Sequence, residues 1–350
     1  MNKKVILIND THFGHKNDNP VILEYFISFF ERQLFPYIRK NDIKYIIHCG
    51  DLFDRRKYVN FKTLREVNKR VFQPLLDMNI KCYIIPGNHD TYFRNNNELN
   101  APEDLLANFE NWTVYKKPQD VVIGDKTVAF LPWMATECEL ESFAFVENSQ
   151  AEILFGHLEL AGFQSLRGIF IEEGYNTSWL EKFKHVYSGH YHLKSDKDNI
   201  HYLGTQYQFS YSDVWDKKGF HVLDLETLDL EFIENEHKKF FTLDYTDEDP
   251  PKILTEYKDS FVKIFVKSKK DAAKFEKFID KFYELGVAEL VMTDCTVTTE
   301  ENSDVANITK DTLELLRDEV QFAPELLDKG RLCAIIDQVY HQTISEESVD

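Results

Sequence analysis

The sequence predicts an α/β protein: a four-layer α/β/β/α sandwich with mixed sheets, followed by a small β-α-β cap and a C-terminal helical segment. Three observations carry this expectation. Apolar runs of strand length alternate with amphipathic stretches in the order β-α-β-α-β before β-rich segments take over. Five apolar runs end abruptly in residues able to ligate a metal, and ligands gathered at strand carboxyl ends are the habit of layered α/β sheets. Near residue 245 a stretch rich in asparagine, acid and proline (Asn235 to Pro251) interrupts the pattern and marks a boundary.

Residues 1–9 read as a buried strand that delivers Asp10 and His12. Side chains two apart on an extended chain share a face, so both can aim at one ion. Helical spacing follows over 20–39, where Leu23, Phe26, Ile27, Phe30 and Leu34 recur three or four apart. A strand over 43–49 ends in Gly50-Asp51, and the basic run Arg55-Arg56-Lys57 comes next. A helix over 60–78 places Leu64, Val67, Val71, Leu75 and Met78 on one face, available to the core or to a second copy. Strand 80–85 leads into Pro86-Gly87-Asn88-His89-Asp90. After a polar loop, Pro102 opens a short helix through Phe109. Residues 112–131 read as paired strands turning at Gly124-Asp125 and ending in Leu131-Pro132-Trp133-Met134. A helical segment near 137–149 precedes strand 152–156, which gives His157. An irregular loop spans 162–176, strand 185–188 gives Gly189-His190-Tyr191-His192, and 200–233 read as further strands.

Residues 1–244 form the main domain on this reading, and 245–298 the cap. Within the cap, strand Phe261–Val266 precedes a helix over 270–285 and a strand over Val287–Met292, with Gly286 as the helix's left-handed cap. Residues 305–345 offer two amphipathic helices, one with Leu313, Leu316 and Val320, the other with Leu332, Ile335, Ile336, Val339 and Tyr340.

No run approaches the roughly 20 apolar residues of a membrane span, and Met1–Asn9 is too short for a secretory signal. The five cysteines, Cys49, Cys82, Cys138, Cys295 and Cys333, are scattered without a C-x-x-C pair. Reduced thiols in a cytoplasmic protein, away from any membrane, are the expectation. The net charge of −19 is concentrated: residues 225–350 hold 30 acidic and 15 basic residues, which leaves −4 for 1–224. A net-negative chain does not broadly attract nucleic acid, so any contact with DNA must come from local basic patches and from bound metals. Arg55, Arg56 and Lys57 are the candidate contacts; the alternative is a solvated face.

The chemistry follows from the five strand ends. Hydrolysing a phosphate ester needs a nucleophile at neutral pH and charge neutralisation on the phosphoryl oxygens, and two divalent ions sharing a carboxylate supply both. Asp51 is the expected bridge. One ion would take Asp10, His12, Asp51 and His192, the other Asp51, Asn88, His157 and His190. Imidazoles, one amide oxygen and carboxylates suit manganese, iron or zinc better than calcium. His89 stands beside a ligand without being one, and could stabilise the transition state or protonate the leaving oxygen.

The motifs Asp10-x-His12, Gly50-Asp51, Gly87-Asn88-His89-Asp90, Gly156-His157 and Gly189-His190-x-His192 resemble those of the calcineurin-like metallophosphoesterase superfamily, in family order over residues 5–192. The resemblance implies the sandwich fold and the ligand set above. Gly50-Asp-Leu-Phe-Asp54, Leu131-Pro-Trp-Met134, Gly156-His-Leu-Glu159 and the cap-plus-tail layout are further similar to SbcD-type nucleases, the Mre-eleven class. That likeness implies a homodimeric DNA exonuclease and single-strand endonuclease, working with manganese in end processing, recombination and repair. It also implies an SbcC-type coiled-coil ATPase partner, bound by the C-terminal helices, and a cap that contacts DNA. Relatives carry histidine at the position of Asp54, so no role is carried over to that residue.

Two other readings stay open on sequence alone. One is another phosphoesterase of the superfamily acting on small phosphodiesters or nucleotides; the protein-phosphatase motifs Gly-Asp-x-Val-Asp-Arg-Gly and Gly-Asn-His-Glu are absent. The other is a non-catalytic scaffold whose tail recruits an ATPase. Asp54 and Asp90 read equally as supports for the ligands or as loop caps. His15, His48, His185, His201, His221, His237 and His341 read as satisfied polar residues.

Overall fold

A computed structural model describes residues 3–295. In chain order its strands begin with β1 (Lys4–Ile8), β2 (Tyr45–His48), β3 (Lys81–Ile84), β4 (Trp112–Val114), β5 (Gln119–Ile123) and β6 (Lys126–Leu131). Next come β7 (Ile153–His157), β8 (Gln164–Leu166), β9 (Ile169–Phe170), β10 (His185–Gly189), β11 (Ser195–Lys197) and β12 (Ile200–Tyr202). The series ends with β13 (Gly219–Asp224), β14 (Leu230–Glu234), β15 (Phe240–Tyr245), β16 (Phe261–Val266) and β17 (Glu289–Asp294).

Two six-stranded sheets stack face to face, in the orders β14-β13-β1-β2-β3-β4 and β11-β12-β10-β7-β6-β5. β1 to β4 run parallel, as do β6, β7, β10 and β12, while β13 and β14 on one sheet and β5 and β11 on the other are antiparallel additions. Parallel strands buried on both faces must be apolar at successive positions, and β1 shows why. Val5 and Leu7 enter the core between the sheets with Ile47, Phe130, Phe155 and Tyr187. Ile6 and Ile8 point the other way, into a core shared with Phe26, Phe30, Val71 and Phe72 of the covering helices. On the far side Leu154 and Val186 pack with Val146 of the outer helix Glu139–Asn148. The result is the expected α/β/β/α sandwich.

Both long helices are interrupted. The first runs Pro20–Phe29, opens into a π turn over Phe30–Leu34 and resumes over Phe35–Asn41. The second repeats this with Phe61–Val67, Asn68–Phe72 and Gln73–Asp77. Pro36 and Pro74 explain both breaks: each lacks an N–H for the ordinary helical bond, and the preceding residue bonds five positions back, Phe35 to Phe30 and Gln73 to Asn68. Other expectations need adjustment. The 112–131 pair is divided, β4 joining the first sheet while the β5–β6 hairpin edges the second. The 162–176 loop contains the β8–β9 hairpin. The 200–233 segment is not strand throughout, since 203–218 is loop with a 3-10 turn at Tyr211–Asp213.

The cap contains the β-α-β unit: β16, helix Ala272–Leu285 ending on Gly286 at φ 80°, and β17. It also has a third parallel strand, β15, so the boundary expected between 244 and 245 falls inside a strand. Phe240 and Phe261 enter the main core, and the chain to Asp294 is one compact unit. The helices expected over 305–345 lie outside the described residues.

Candidate metal centre

The expected ligands hang from the carboxyl ends of five parallel strands: β1 (Asp10, His12), β2 (Asp51), β3 (Asn88), β7 (His157) and β10 (His190, His192). Beyond the strands, backbone bonds zip the first two loops together: Asp10 N–H to the Gly50 carbonyl at 2.8 Å, His12 N–H to Asp51 at 3.1 Å and Phe13 N–H to Leu52 at 3.1 Å. Asp10, His12, Asp51 and His190 all hold positive φ, at 47°, 41°, 59° and 90°. Non-glycine residues enter that region at a cost of about 1–3 kcal/mol each and persist where the surroundings over-determine them. Glycine is needed at 50, where φ is 90° and a Cβ would strike the His157 ring and Gly87, and at 87, where it would strike the Asp51 carboxylate.

Asp90 fixes this arrangement. Its buried carboxylate accepts from the backbone N–H groups of Asp51 (2.7 Å), Leu52 (2.9 Å), Phe53 (3.4 Å) and Gly87 (2.9 Å), so it supports two ligand loops at once. Burial and the Asp51 carboxylate push its carboxyl up to about 7, against the Gly87 and Leu52 amides, which favour the ionised form.

The seven side chains converge. Asp51 Oδ2 lies 3.5 Å from His12 Nε2 and 3.4 Å from His157 Nε2, between the two expected ligand sets. Asp10 Oδ1 is 3.7 Å from His12 Nε2 and 3.8 Å from His192 Nε2, and those two ring nitrogens are 3.3 Å apart. Asn88 Oδ1 stands 3.0 Å from both His157 Nε2 and His190 Nδ1. Donors about 2.1 Å from a common ion stand roughly 3.0–3.4 Å apart, close to these spacings. Asp10, His12 and His192 group within 4.8 Å of one another, and so do Asp10, Asp51 and His157. His89 also falls within that distance of His12 and Asp51, but its Nδ1 is taken by the Asp54 carbonyl at 2.7 Å, leaving Nε2 free.

The donor chemistry fits divalent cations. His157 Nδ1 donates to the Cys49 carbonyl at 2.7 Å, so in the neutral ring the Nε2 lone pair confronts the oxygens of Asn88 and Asp51. Asp10 Oδ1 is buried with no hydrogen-bond donor. Neither Asp10 nor Asp51 has a lysine or arginine partner among the described residues. Burial opposes ionisation of both carboxyls, yet surrounding histidines hold them well below the usual range: chiefly His12 and His157 for Asp10, and His157 and His89 for Asp51. Reciprocally, burial works against a charge on His157, but Asp51 outweighs it and raises the ring to about 9. Burial pushes His190 down to about 3 and His192 to about 4. Four histidine rings and two carboxylates converge with no lysine or arginine partner for either carboxylate among the described residues, and this is a donor set suited to cations.

Asp54, read from the sequence as either a ligand support or a loop cap, takes the first role, and several further supports escaped that reading. His12 Nδ1 faces Asp54 Oδ1 at 3.5 Å, an electrostatic contact, and His15 Nδ1 bonds the same oxygen at 3.0 Å. Asp54 therefore orients His12 through its carboxylate and His89 through its carbonyl, and His15 belongs to this set. Lys218 Nζ donates to the His192 carbonyl at 2.9 Å and pairs with Asp213 at 2.7 Å, both side chains nearly inaccessible. Asn9 bonds Asp10 Oδ2 at 2.5 Å, and Gln206 and Tyr207 bond the carbonyls of Asn9 and Thr11 from behind. Gln206, Gln208 and Ser210 alternate with Tyr207 and Phe209, so the segment reads as an ordinary strand and gives no separate signal, although it is loop. Trp133 of the Leu-Pro-Trp-Met stretch lies against His190, with ring centroids 5.3 Å apart.

The basic run divides. Arg55 bonds Asn17, pairs with Asp18 at 3.5 Å and covers the Tyr58 ring at 4.9 Å. Arg56 is half-buried and Lys57 is exposed.

A calcineurin-like phosphoesterase family model matches residues 3–194. Exonuclease subunit 1 of Enterobacteria phage T4 is 31% identical over 344 residues, covering 96% of this chain and 98% of that protein. The SbcD component of the SbcCD nuclease of Staphylococcus epidermidis is 25% identical over 64% of this chain and 66% of its own length. The DNA double-strand break repair protein Mre11 of Saccharolobus solfataricus is 30% identical over 117 residues, 33% of this chain and 30% of that protein.

Proposed function

Because this chain belongs to the calcineurin-like phosphoesterase family, we propose that it is a metal-dependent nuclease that hydrolyses phosphodiester bonds in DNA. The observation that carries the reading is Asp51: a buried carboxylate with no lysine or arginine partner among the described residues, its Oδ2 set between His12 Nε2 at 3.5 Å and His157 Nε2 at 3.4 Å. The nuclease names of two relatives matched along most of the chain support a polynucleotide substrate, and the DNA-repair name of a third, matched over 33% of the chain, supports DNA.

Asp10, His12, Asp51 and His192 would hold one cation, and Asp51, Asn88, His157 and His190 the other, manganese being the preferred ion on this reading. Bound divalent cations supply the Lewis acidity the reaction needs, acidifying water and drawing charge from the phosphoryl oxygens. The remaining work falls to the chain. His157 keeps its Nδ1 proton on the Cys49 carbonyl and turns Nε2 inward. His89 keeps its Nδ1 proton on the Asp54 carbonyl, so Nε2 presents an N–H only in the imidazolium form. In that form it can pair with a phosphoryl oxygen or pass a proton to the leaving oxygen.

The finer reading follows the T4 and SbcCD relatives: exonuclease action on duplex ends, endonuclease action on single strands, and service as one subunit of a repair and recombination assembly. We assign the C-terminal segment 305–345 to an SbcC-type coiled-coil ATPase, the cap to DNA, and a homodimer contact to the helix Phe61–Val67, whose Phe61 is 89% exposed. No helix among the described residues is long and apolar enough to cross a membrane. The test is direct. Purified protein with manganese should degrade linear duplex DNA, and Asp51→Asn or His89→Ala should abolish this. Hydrolysis of small phosphodiesters alone, with DNA untouched even beside the ATPase partner, would overturn the nuclease reading.

A further inference from the structure

In the second sheet β6, β7 and β10 run parallel side by side, and all three end at the metal centre. β7 brings His157 and β10 brings His190 and His192, whereas β6 brings no ligand but the half-buried Trp133. The register Leu131–Gly156–Ser188, continued two residues on, sets Trp133 level with His190. Three rings meet there, with centroids 5.3 Å apart for Trp133 and His190, 6.1 Å for Trp133 and His157, and 5.3 Å for His157 and His190. The indole meets no other ligand ring among the described residues. Its backbone is clamped on both sides: Trp133 N–H donates to the Pro86 carbonyl at 2.9 Å, and its carbonyl accepts from Asn97 Nδ2 at 2.8 Å and Ala135 N–H at 3.0 Å.

The ligand rings are oriented in different ways. A histidine that holds a metal through one nitrogen ordinarily has the other fixed by a hydrogen bond. His157 follows that rule through the Cys49 carbonyl, and His12 Nδ1 faces the Asp54 carboxylate. His190 does not. Its backbone N–H donates to Asp10 Oδ2 at 3.0 Å and its Nδ1 faces Asn88 Oδ1 at 3.0 Å, but its Nε2 bonds to none of the described residues. An imidazole anchored only through its main chain keeps its rotamer freedom. What limits the His190 ring is packing: Trp133 lies tilted against it at 38°, and aromatic pairs at this spacing attract beyond the area they bury.

We propose that Trp133 is the positioning residue of the cation site formed by Asp51, Asn88, His157 and His190: its ring keeps His190 Nδ1 beside Asn88 Oδ1, where a hydrogen bond to Nε2 would otherwise be needed. This rests on the two-cation reading and deepens it. Trp133 touches ligands of one site only, so its loss separates the affinities of the two.

The test is manganese binding to the full chain by calorimetry, with His190→Ala marking which of the two binding steps belongs to this site. Trp133→Leu should weaken that step about tenfold, as loss of a ligand's support does, and leave the other step at its wild-type affinity. Trp133→Phe, which keeps a ring against His190, should restore most of that affinity. A second readout is tryptophan emission, which a bound manganese ion quenches at short range. Filling this site should quench part of the wild-type emission, and Trp133→Phe should lose that part of the quenching while still binding the ion. Equal weakening of both steps in Trp133→Leu, or a Trp133→Phe chain as weak as Trp133→Leu, would overturn the assignment. If Trp133→Leu does not fold, the quenching decides: equal quenching in wild type and Trp133→Phe overturns it. A wild-type chain that takes up no manganese overturns the two-cation reading, and the role of Trp133 with it. Two ions held equally well by wild type and Trp133→Leu overturn that role alone.

Discussion

Lys218→Met should loosen the metal centre from behind without touching a ligand. Lys218 and Asp213 are about 4% and 6% exposed, their Nζ and Oδ1 are 2.7 Å apart, and Nζ also donates to the His192 carbonyl at 2.9 Å. At 2.7 Å the pair attracts by about 6 kcal/mol at an effective dielectric of 20. That roughly offsets a desolvation penalty of several kcal/mol per ion, so the intact pair contributes little net stability. Removing one partner is different. Asp213 keeps its bonds from the Phe209 and Ser210 amides at 2.8 and 3.0 Å but loses its counter-charge, and breaking a buried pair this way costs about 3–5 kcal/mol. At about 2 °C per kcal/mol for a larger chain, Lys218→Met should melt about 6–10 °C lower in EDTA. Lys218→Met/Asp213→Asn, which removes both charges and keeps an acceptor for the amides, should recover much of that loss. The His192 carbonyl retains only the Thr205 N–H at 3.2 Å, so manganese affinity by calorimetry should fall about 10–100-fold, as for other supports of metal ligands. A variant melting within about 2 °C of wild type, with unchanged manganese affinity, would refute this.

His221 supplies a test away from the site. It is buried on β13 with Nε2 unpartnered, and burial together with Lys194 lowers its ring to about 3. Such a group leaves stability intact above its ordinary pKa of about 6.5, and the loss accumulates as pH falls from there toward the folded value, reaching about 2 kcal/mol at pH 5. His221→Leu should therefore flatten the acid limb of the stability curve between those limits; an acid limb of unchanged slope would contradict the assignment. Phe61→Glu should shift sedimentation from dimer to monomer while the melting temperature holds, because Phe61 is 89% exposed. A wild-type chain already monomeric at working concentration would exclude this contact.

The site was legible because each ligand follows an apolar run that ends abruptly: Ile8 before Asn9-Asp10, Cys49 before Gly50-Asp51, Ile85 before Pro86-Gly87-Asn88. Strand period and buried parallel strands leave a short, strong trace of that kind. The supports were harder to read. Lys218 reaches His192 across 26 positions and Asp90 reaches Leu52 across 38, and no periodicity encodes such pairs. Pro36 and Pro74 did signal breaks in the two long helices, yet the apolar stripe masked them, since a π turn restores helical register soon after each proline. β15 was hidden because its partner β16 begins 16 residues after β15 ends, and Phe240 to Tyr245 mixes apolar and acidic residues on an edge strand.

The central claim is that two cations share the Asp51 carboxylate. Electron paramagnetic resonance of the manganese-loaded protein, with metal content measured on the same sample, addresses it most directly. Two ions per chain with a spin-coupled spectrum, reduced in Asp51→Asn to at most one ion and an uncoupled signal, is the predicted result. A single uncoupled ion in the wild type, or an Asp51→Asn protein that still holds a coupled pair, would contradict it.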